Sequence, residues 1–256
     1  MASNYSNESN LEQVIKTFDP AKFFGIPRPL FNVKGDLRYI NEEPLKLTRG
    51  GWEYYTPFKG WIRYGLDTEK FGNSGSKWLA CDGAPGEWAV GFHGLRRDVT
   101  DVIKRIAADG FKVFGGKNSD WGTTSKDMGP NAASFSEPSC GRGIFLTPKL
   151  KHLTDNVENC RLVKPIPYNK HYHIEAALQC RIHPRKIRVP ECASNQYYIV
   201  NDPIHVRPYG LVVRFLTNAD AKKIFDDNDY DLEPAIPFVA NDPTALVNSM
   251  GSLKLK

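Results

Sequence analysis

No stretch of the 256 residues approaches the roughly 18 apolar residues that a bilayer-spanning helix needs, so no membrane helix is expected. Runs of Lys or Arg are also missing, and nucleic acid is therefore not an expected partner. The five cysteines (Cys81, Cys140, Cys160, Cys180, Cys192) are odd in number and contain no CxxC pair. That excludes a zinc framework and a disulfide scaffold, and it predicts free thiols in a reducing, intracellular, cytoplasmic setting. Met1 to Ser9 have neither a basic region nor an apolar one, so no secretory signal is expected. No internal repeat is visible.

What is present is ordinary globular material. Hydrophobic residues make up 41% and charged residues 25%, which rules out a disordered chain, a collagen and a coiled coil. The net charge of +5 is mild and the signs are mixed along the chain. One short basic cluster, Arg181, Arg185, Lys186 and Arg188, reads as a solvated strand edge, with an anion contact as its rival reading.

Three regions differ in texture. Residues 1–60 carry Pro20, Pro27, Pro29, Pro44 and Pro57 among many aromatics, and only Leu11 to Phe18 has room for a short helix. This predicts an extended arm pinned by its aromatics onto its own domain or onto another protein. Residues 61–225 have the pattern of a folded domain. Trp61 to Leu66 and Glu87 to His93 read as strands. Val99, Val102, Ile103, Ile106 and Ala107 share one helical face, with Asp98 and Asp101 at its start and Gly110 at its end. Residues 114–140 are a long loop rich in Gly, Ser, Asn and Thr. Gly143 to Thr147 is a short strand, and Ile174 to Ile182 alternates with a period of two, as a half-buried strand does. Tyr197 to Val200 and Tyr209 to Phe215 complete the strands, and Ala219 to Phe225 makes a short helix. Residues 226–256 form a polar tail. The fold class is α+β, with an antiparallel or mixed sheet and few helices.

Three segments hold residues suited to chemistry: Phe92-His93-Gly94-Leu95, Cys140-Gly141-Arg142-Gly143-Ile144-Phe145 and Asn195-Gln196-Tyr197-Tyr198-Ile199-Val200. Singly each reads as ordinary structure: a packing histidine, a Gly-x-Gly turn, an aromatic strand. In this order they resemble the ADP-ribosyltransferase fold, specifically the catalytic domain of poly(ADP-ribose) polymerases, over roughly residues 60–215. That family runs His-Gly-Ser/Thr, then a helix, then Gly-x-Gly-Ile-Tyr, then Glu-Tyr-x-Val. The resemblance implies a split β-sheet, NAD as cofactor, and a triad at positions His93, Phe145 and Tyr197. It implies NAD contacts from His93, Gly94, Gly141, Gly143 and Phe145, with His93 on the adenosine ribose and Phe145 stacked on nicotinamide.

The departures from that pattern are chemical. The Ser/Thr after His-Gly is Leu95, a second stacking Tyr falls near Asn156, and the catalytic Glu aligns with Tyr197. A phenol is neutral near pH 7 and cannot replace a carboxylate. Gln196 and Glu191 lie close in sequence, but a shift of one residue along a strand points a side chain to the other face. The resemblance therefore implies a pseudoenzyme that binds NAD weakly or not at all and acts as a binding or scaffold module. Its protein partners would dock on the 1–60 segment and the C-terminal tail. The alternatives are an active NAD-dependent mono-ADP-ribosyltransferase, with residues 114–140 as a lid, and a reader of ADP-ribose or a nucleotide with Arg142 and the Arg185 region on phosphate. His171-x-His173 and Asp226-Asp227-Asn228-Asp229 invite metal readings, but they lack a third ligand and a distal glutamate respectively, so no metal is expected.

Overall fold

A computed structural model describes residues 2–72, 77–94, 99–111, 143–154, 163–189 and 197–227. Gly141, Leu95, Asn156, Glu191, Gln196, the 114–140 loop and residues 228–256 lie outside the described residues.

Residues 2–60 form helices and strands rather than an extended arm, and their aromatics pack on their own domain, one of the two placements expected. Helix α1 spans Ala2–Thr17 and α2 spans Pro20–Phe24. Leu11, Val14 and Ile15 sit three and four residues apart, and all pack on the main core. Asp19 accepts from the backbone N–H groups of Ala21 (3.1 Å) and Lys22 (3.3 Å), and Pro20 follows at the first helical position, where its missing N–H costs nothing. The prolines thus start elements rather than forbid them. Phe18 lies within 5.1–6.5 Å of the rings of Phe23, Phe24, Tyr64, Tyr168 and Phe215, so the aromatics of this segment pack in cis. Each such ring stabilises the fold by roughly 1.5–3 kcal/mol through burial alone.

The same segment supplies strands. β1 (Leu37–Arg38) pairs antiparallel with β4 (Trp61–Gly65), while β2 (Lys46–Arg49) and β3 (Trp52–Tyr55) form a hairpin. The remaining elements are β5 (Ala89–Gly94), α3 (Val99–Asp109), β6 (Ile144–Leu146), α4 (Lys151–Thr154), β7 (Ile166–Pro167), β8 (Tyr172–Ile182), β9 (Tyr198–Val200), β10 (Val206–Thr217) and α5 (Asn218–Asp227). The main sheet runs β1-β4-β10-β8-β5, with β7 also on β8, and every pairing in it is antiparallel. β6 and β9 make a second, two-stranded sheet. The fold is α+β with a mostly antiparallel sheet, as expected.

One face of the main sheet carries Ile174, Ala176, Leu178, Cys180 and Ile182 of β8, and packs on α2, α3 and the β6–β9 pair. The helical face foreseen in α3 buries Ile103, Ile106 and Ala107 there. The other face carries Ala177 and Val212 and packs with Tyr54, Trp61, Phe92, Leu150 and Leu153. All eleven residues of β8 are therefore buried, which corrects the half-buried reading drawn from its alternation. The polar side chains of that second face are enclosed because partners meet them. Gln179 Oε1 accepts from the Tyr39 hydroxyl (3.2 Å) and from Arg63 (3.4 Å), and Glu175 Oε2 accepts from Arg214 Nε (2.8 Å). Arg181, read as part of a solvated edge, is 2% exposed, whereas Arg185 and Lys186 do face solvent.

Candidate functional site

His93 is the next-to-last residue of β5 and sits opposite Leu178, on the face of the larger core. Above it runs β6, which is able to come close because residue 91 has no side chain. A Cβ at Gly91 would lie 2.7 Å from Ile182 Cδ1 and 3.2 Å from Leu146 Cβ. Phe92 and Thr147 exchange both backbone hydrogen bonds, at 2.8 and 2.9 Å, and this bridge joins the two sheets.

The orientation of Phe145 follows from ladder geometry. Phe145 is paired with Ile199, and Ile199 uses both its N–H and its carbonyl on Arg188 (2.8 and 2.9 Å). Phe145 is thus in a non-hydrogen-bonded pair, and its own carbonyl turns away from β9. His93 Nδ1 meets that carbonyl at 2.9 Å. A carbonyl only accepts, so Nδ1 carries the proton and Nε2 holds a lone pair. Nε2 is enclosed and has no hydrogen-bond partner among the described residues. Burial pushes the His93 pKa down to about 4, against the opposing pull of the Phe145 carbonyl. The ring is neutral at pH 7, packs edge-on to Phe111 at 5.1 Å, and presents a buried acceptor rather than a donor.

Tyr197 precedes β9 and is buried. It is two residues from Ile199, which is paired with Phe145. One side of the small sheet, with Ile144, Leu146, Tyr198 and Val200, belongs to the main core, whereas Phe145, Ile199 and Tyr197 belong to neither core cluster. The strands themselves, Ile-Phe-Leu and Tyr-Ile-Val, bring no carboxylate to this face. Gly143 leads into β6 with a φ of 154°, and a Cβ there would lie 2.5 Å from Ile199 Cγ2 and 2.9 Å from the Val200 carbonyl oxygen. Its role is to let the chain entering β6 lie against β9. Gly94 ends β5 beside His93.

The His93 ring thus meets the backbone carbonyl of Phe145, and Tyr197 directly precedes the strand paired with β6. An open groove of about 680 Å³ lies elsewhere, at the Tyr172 end of β8, lined by Leu11, Val14, Tyr172 and Thr217 among others, and it excludes His93. His173 bonds Asn218 (3.1 Å) and packs on Phe225, while His171 sits exposed at the turn before β8. No group of three metal-ligating side chains occurs among the described residues. Asp226 and Asp227 end α5.

The sequence reading missed two features. One is the buried Glu175–Arg214 ion pair (2.5 Å), which the alternation of β8 disguises as a solvent face. The other is Arg207, whose guanidinium lies 4.3 Å from the Trp88 ring, 4.9 Å from Trp78 and 5.6 Å from Phe71. Three aromatics on either side of a Gly/Pro-rich turn were its only sequence signal.

Comparison of the chain with family models, with curated proteins and with solved structures finds no match.

Proposed function

We propose that this chain is an ADP-ribosyltransferase-fold protein with a degenerate transferase site, acting as an intracellular protein-binding or scaffold module. The observation that supports it most is the 2.9 Å bond from His93 Nδ1 to the Phe145 carbonyl. β5, β6 and β9, which carry the three motifs, lie side by side, and that adjacency supports the reading. The transferase reaction displaces nicotinamide from the ribose anomeric carbon through an oxocarbenium-like transition state. A carboxylate stabilises that positive charge, and a neutral phenol at Tyr197 leaves this electrostatic contribution unmade. NAD, if it binds, would meet His93, Gly94, Gly141, Gly143 and Phe145. Partners would use the surface of residues 1–60, where Val33 and Ile40 are exposed, and the C-terminal tail.

One observation favours the second reading, an active mono-ADP-ribosyltransferase. His93 Nε2 is a buried acceptor without a partner among the described residues, an arrangement that a ligand hydroxyl would complete. In that case the acceptor's own nucleophile takes the ribose and nicotinamide leaves with the bonding pair. Incubation with labelled NAD and a cell lysate separates the two. The degenerate reading expects no label transfer, and little or no thermal shift at millimolar NAD. Labelling that His93→Ala abolishes would replace it with the transferase. A NAD-dependent rise in melting temperature without labelling, lost in His93→Ala, would identify a binding module.

A further inference from the structure

We infer that the Arg207 guanidinium, at the Ile182 end of the main sheet, is a binding site for a phosphoryl group. Arg207 on β10 is paired directly with Arg181 on β8. Two cations opposite each other across a ladder destabilise it unless something offsets them. For Arg181 the offset is visible. Its N–H groups donate to the carbonyls of Trp88 (2.6 Å), Leu79 (2.9 Å) and Ala80 (3.0 Å), and the Glu87 carboxylate lies 3.7 Å away. Glu87 is shared with Arg49 at 3.3 Å, so its charge is already committed.

Arg207 has nothing equivalent. Its guanidinium rests among Trp88, Trp78 and Phe71, and among the described residues it makes neither an ion pair nor a hydrogen bond. Nε is sealed from solvent without a partner, while the terminal nitrogens are not sealed. Burial lowers its pKa, and a guanidinium still remains charged. Ring faces stabilise a cation but accept none of its in-plane hydrogen bonds. The result is a planar fork, held by three aromatics, whose N–H groups are unused. Fork geometry of this kind matches a bidentate oxyanion.

The surroundings favour a dianion. Arg185 and Lys186 lie exposed on the turn that follows β8. His183 packs 5.2 Å from the Trp88 ring and 5.3 Å from the His205 ring. It is pushed below the usual histidine range first by burial and then by His205, Lys186 and Arg185. Asp202, 4.0 Å from His205, is an opposing charge. A phosphoryl group, with up to two charges and three acceptor oxygens, answers this set better than a single carboxylate.

The test uses the full chain and inorganic phosphate, with ionic strength held constant by sodium chloride. Tryptophan fluorescence and melting temperature are read across the titration, because Trp78 and Trp88 flank the guanidinium. A saturable change is expected. Arg207→Lys keeps the charge and loses the fork, and should weaken phosphate by about tenfold. The exposed pair Arg185→Glu/Lys186→Glu should weaken it several-fold. If Arg207→Lys fails to fold, as judged by circular dichroism, the surface pair decides alone. The inference is overturned if chloride alone reproduces the change, or if a folded variant of either kind binds phosphate as the parent does.

Discussion

One face of β8 presents Ile174, Ala176, Leu178, Cys180 and Ile182 to the larger core, and the other presents His173, Glu175, Ala177, Gln179 and Arg181 to the smaller one. Both faces are sealed from water. The first is held by packing, which is non-directional and tolerates an exchange of similar shapes. The second is held by matched partners drawn from far along the chain: Arg214 for Glu175, Tyr39 and Arg63 for Gln179, and the carbonyls of residues 79, 80 and 88 for Arg181. A polar buried face is stable only as a complete set, because a lone buried charge costs more than the pair contributes.

The largest expected effect follows from that asymmetry. Glu175→Ala leaves Arg214 without its anion beside Trp61, and should lower the unfolding free energy by about 3–5 kcal/mol in urea denaturation. Replacing both partners by leucine should recover most of the loss. Leu178→Ala, on the other face, should cost about 2–5 kcal/mol, and no partner change should rescue it. If both mutants behave alike toward second-site rescue, the contrast between the faces is wrong.

The next effect concerns His93, a polar group on the apolar face. Its folded pKa of about 4 is below the unfolded value of 6.5, so between those values the unfolded chain binds a proton that the folded chain refuses. Stability contributed by the neutral ring is complete above pH 6.5 and declines as pH falls to 4, by about 3 kcal/mol in all. His173 and His183 are also lowered and add to the parent's slope. Comparing the pH dependence of unfolding for the parent and His93→Gln isolates the His93 share, and identical slopes would place the ring in water rather than in the core. A smaller effect, about 1–3 kcal/mol, is expected for Gly143→Ala, since its backbone and its neighbours both reject a side chain. Loss of the β6–β9 pairing, read by hydrogen exchange at Tyr198 and Val200, should accompany it.

Much of the order of elements was legible. The i, i+3, i+4 apolar pattern of α3, the alternation of β8 and the β-branched strand β10 each carry their own periodicity, which does not depend on the rest of the chain. The first sixty residues were less legible. Proline density suggested an arm, yet Pro20 begins a helix behind the Asp19 cap, and the aromatics turn inward onto Phe215 and Tyr168. Which surface an aromatic seeks is not a local property. At the candidate site the three motifs were visible as letters, and the contact between His93 and Phe145 was not. It depends on Ile199 spending its backbone groups on Arg188, a pairing outside all three motifs.

By itself the sequence determined the local periods, the α+β composition and the absence of a carboxylate at Tyr197, because these reside in residue identity and near-neighbour spacing. Only the tertiary structure decided that the polar side of β8 is interior, and which imidazole nitrogen of His93 carries the proton. Both depend on partners such as Tyr39, 140 residues from Gln179, that reach the sheet only once the chain has closed on itself.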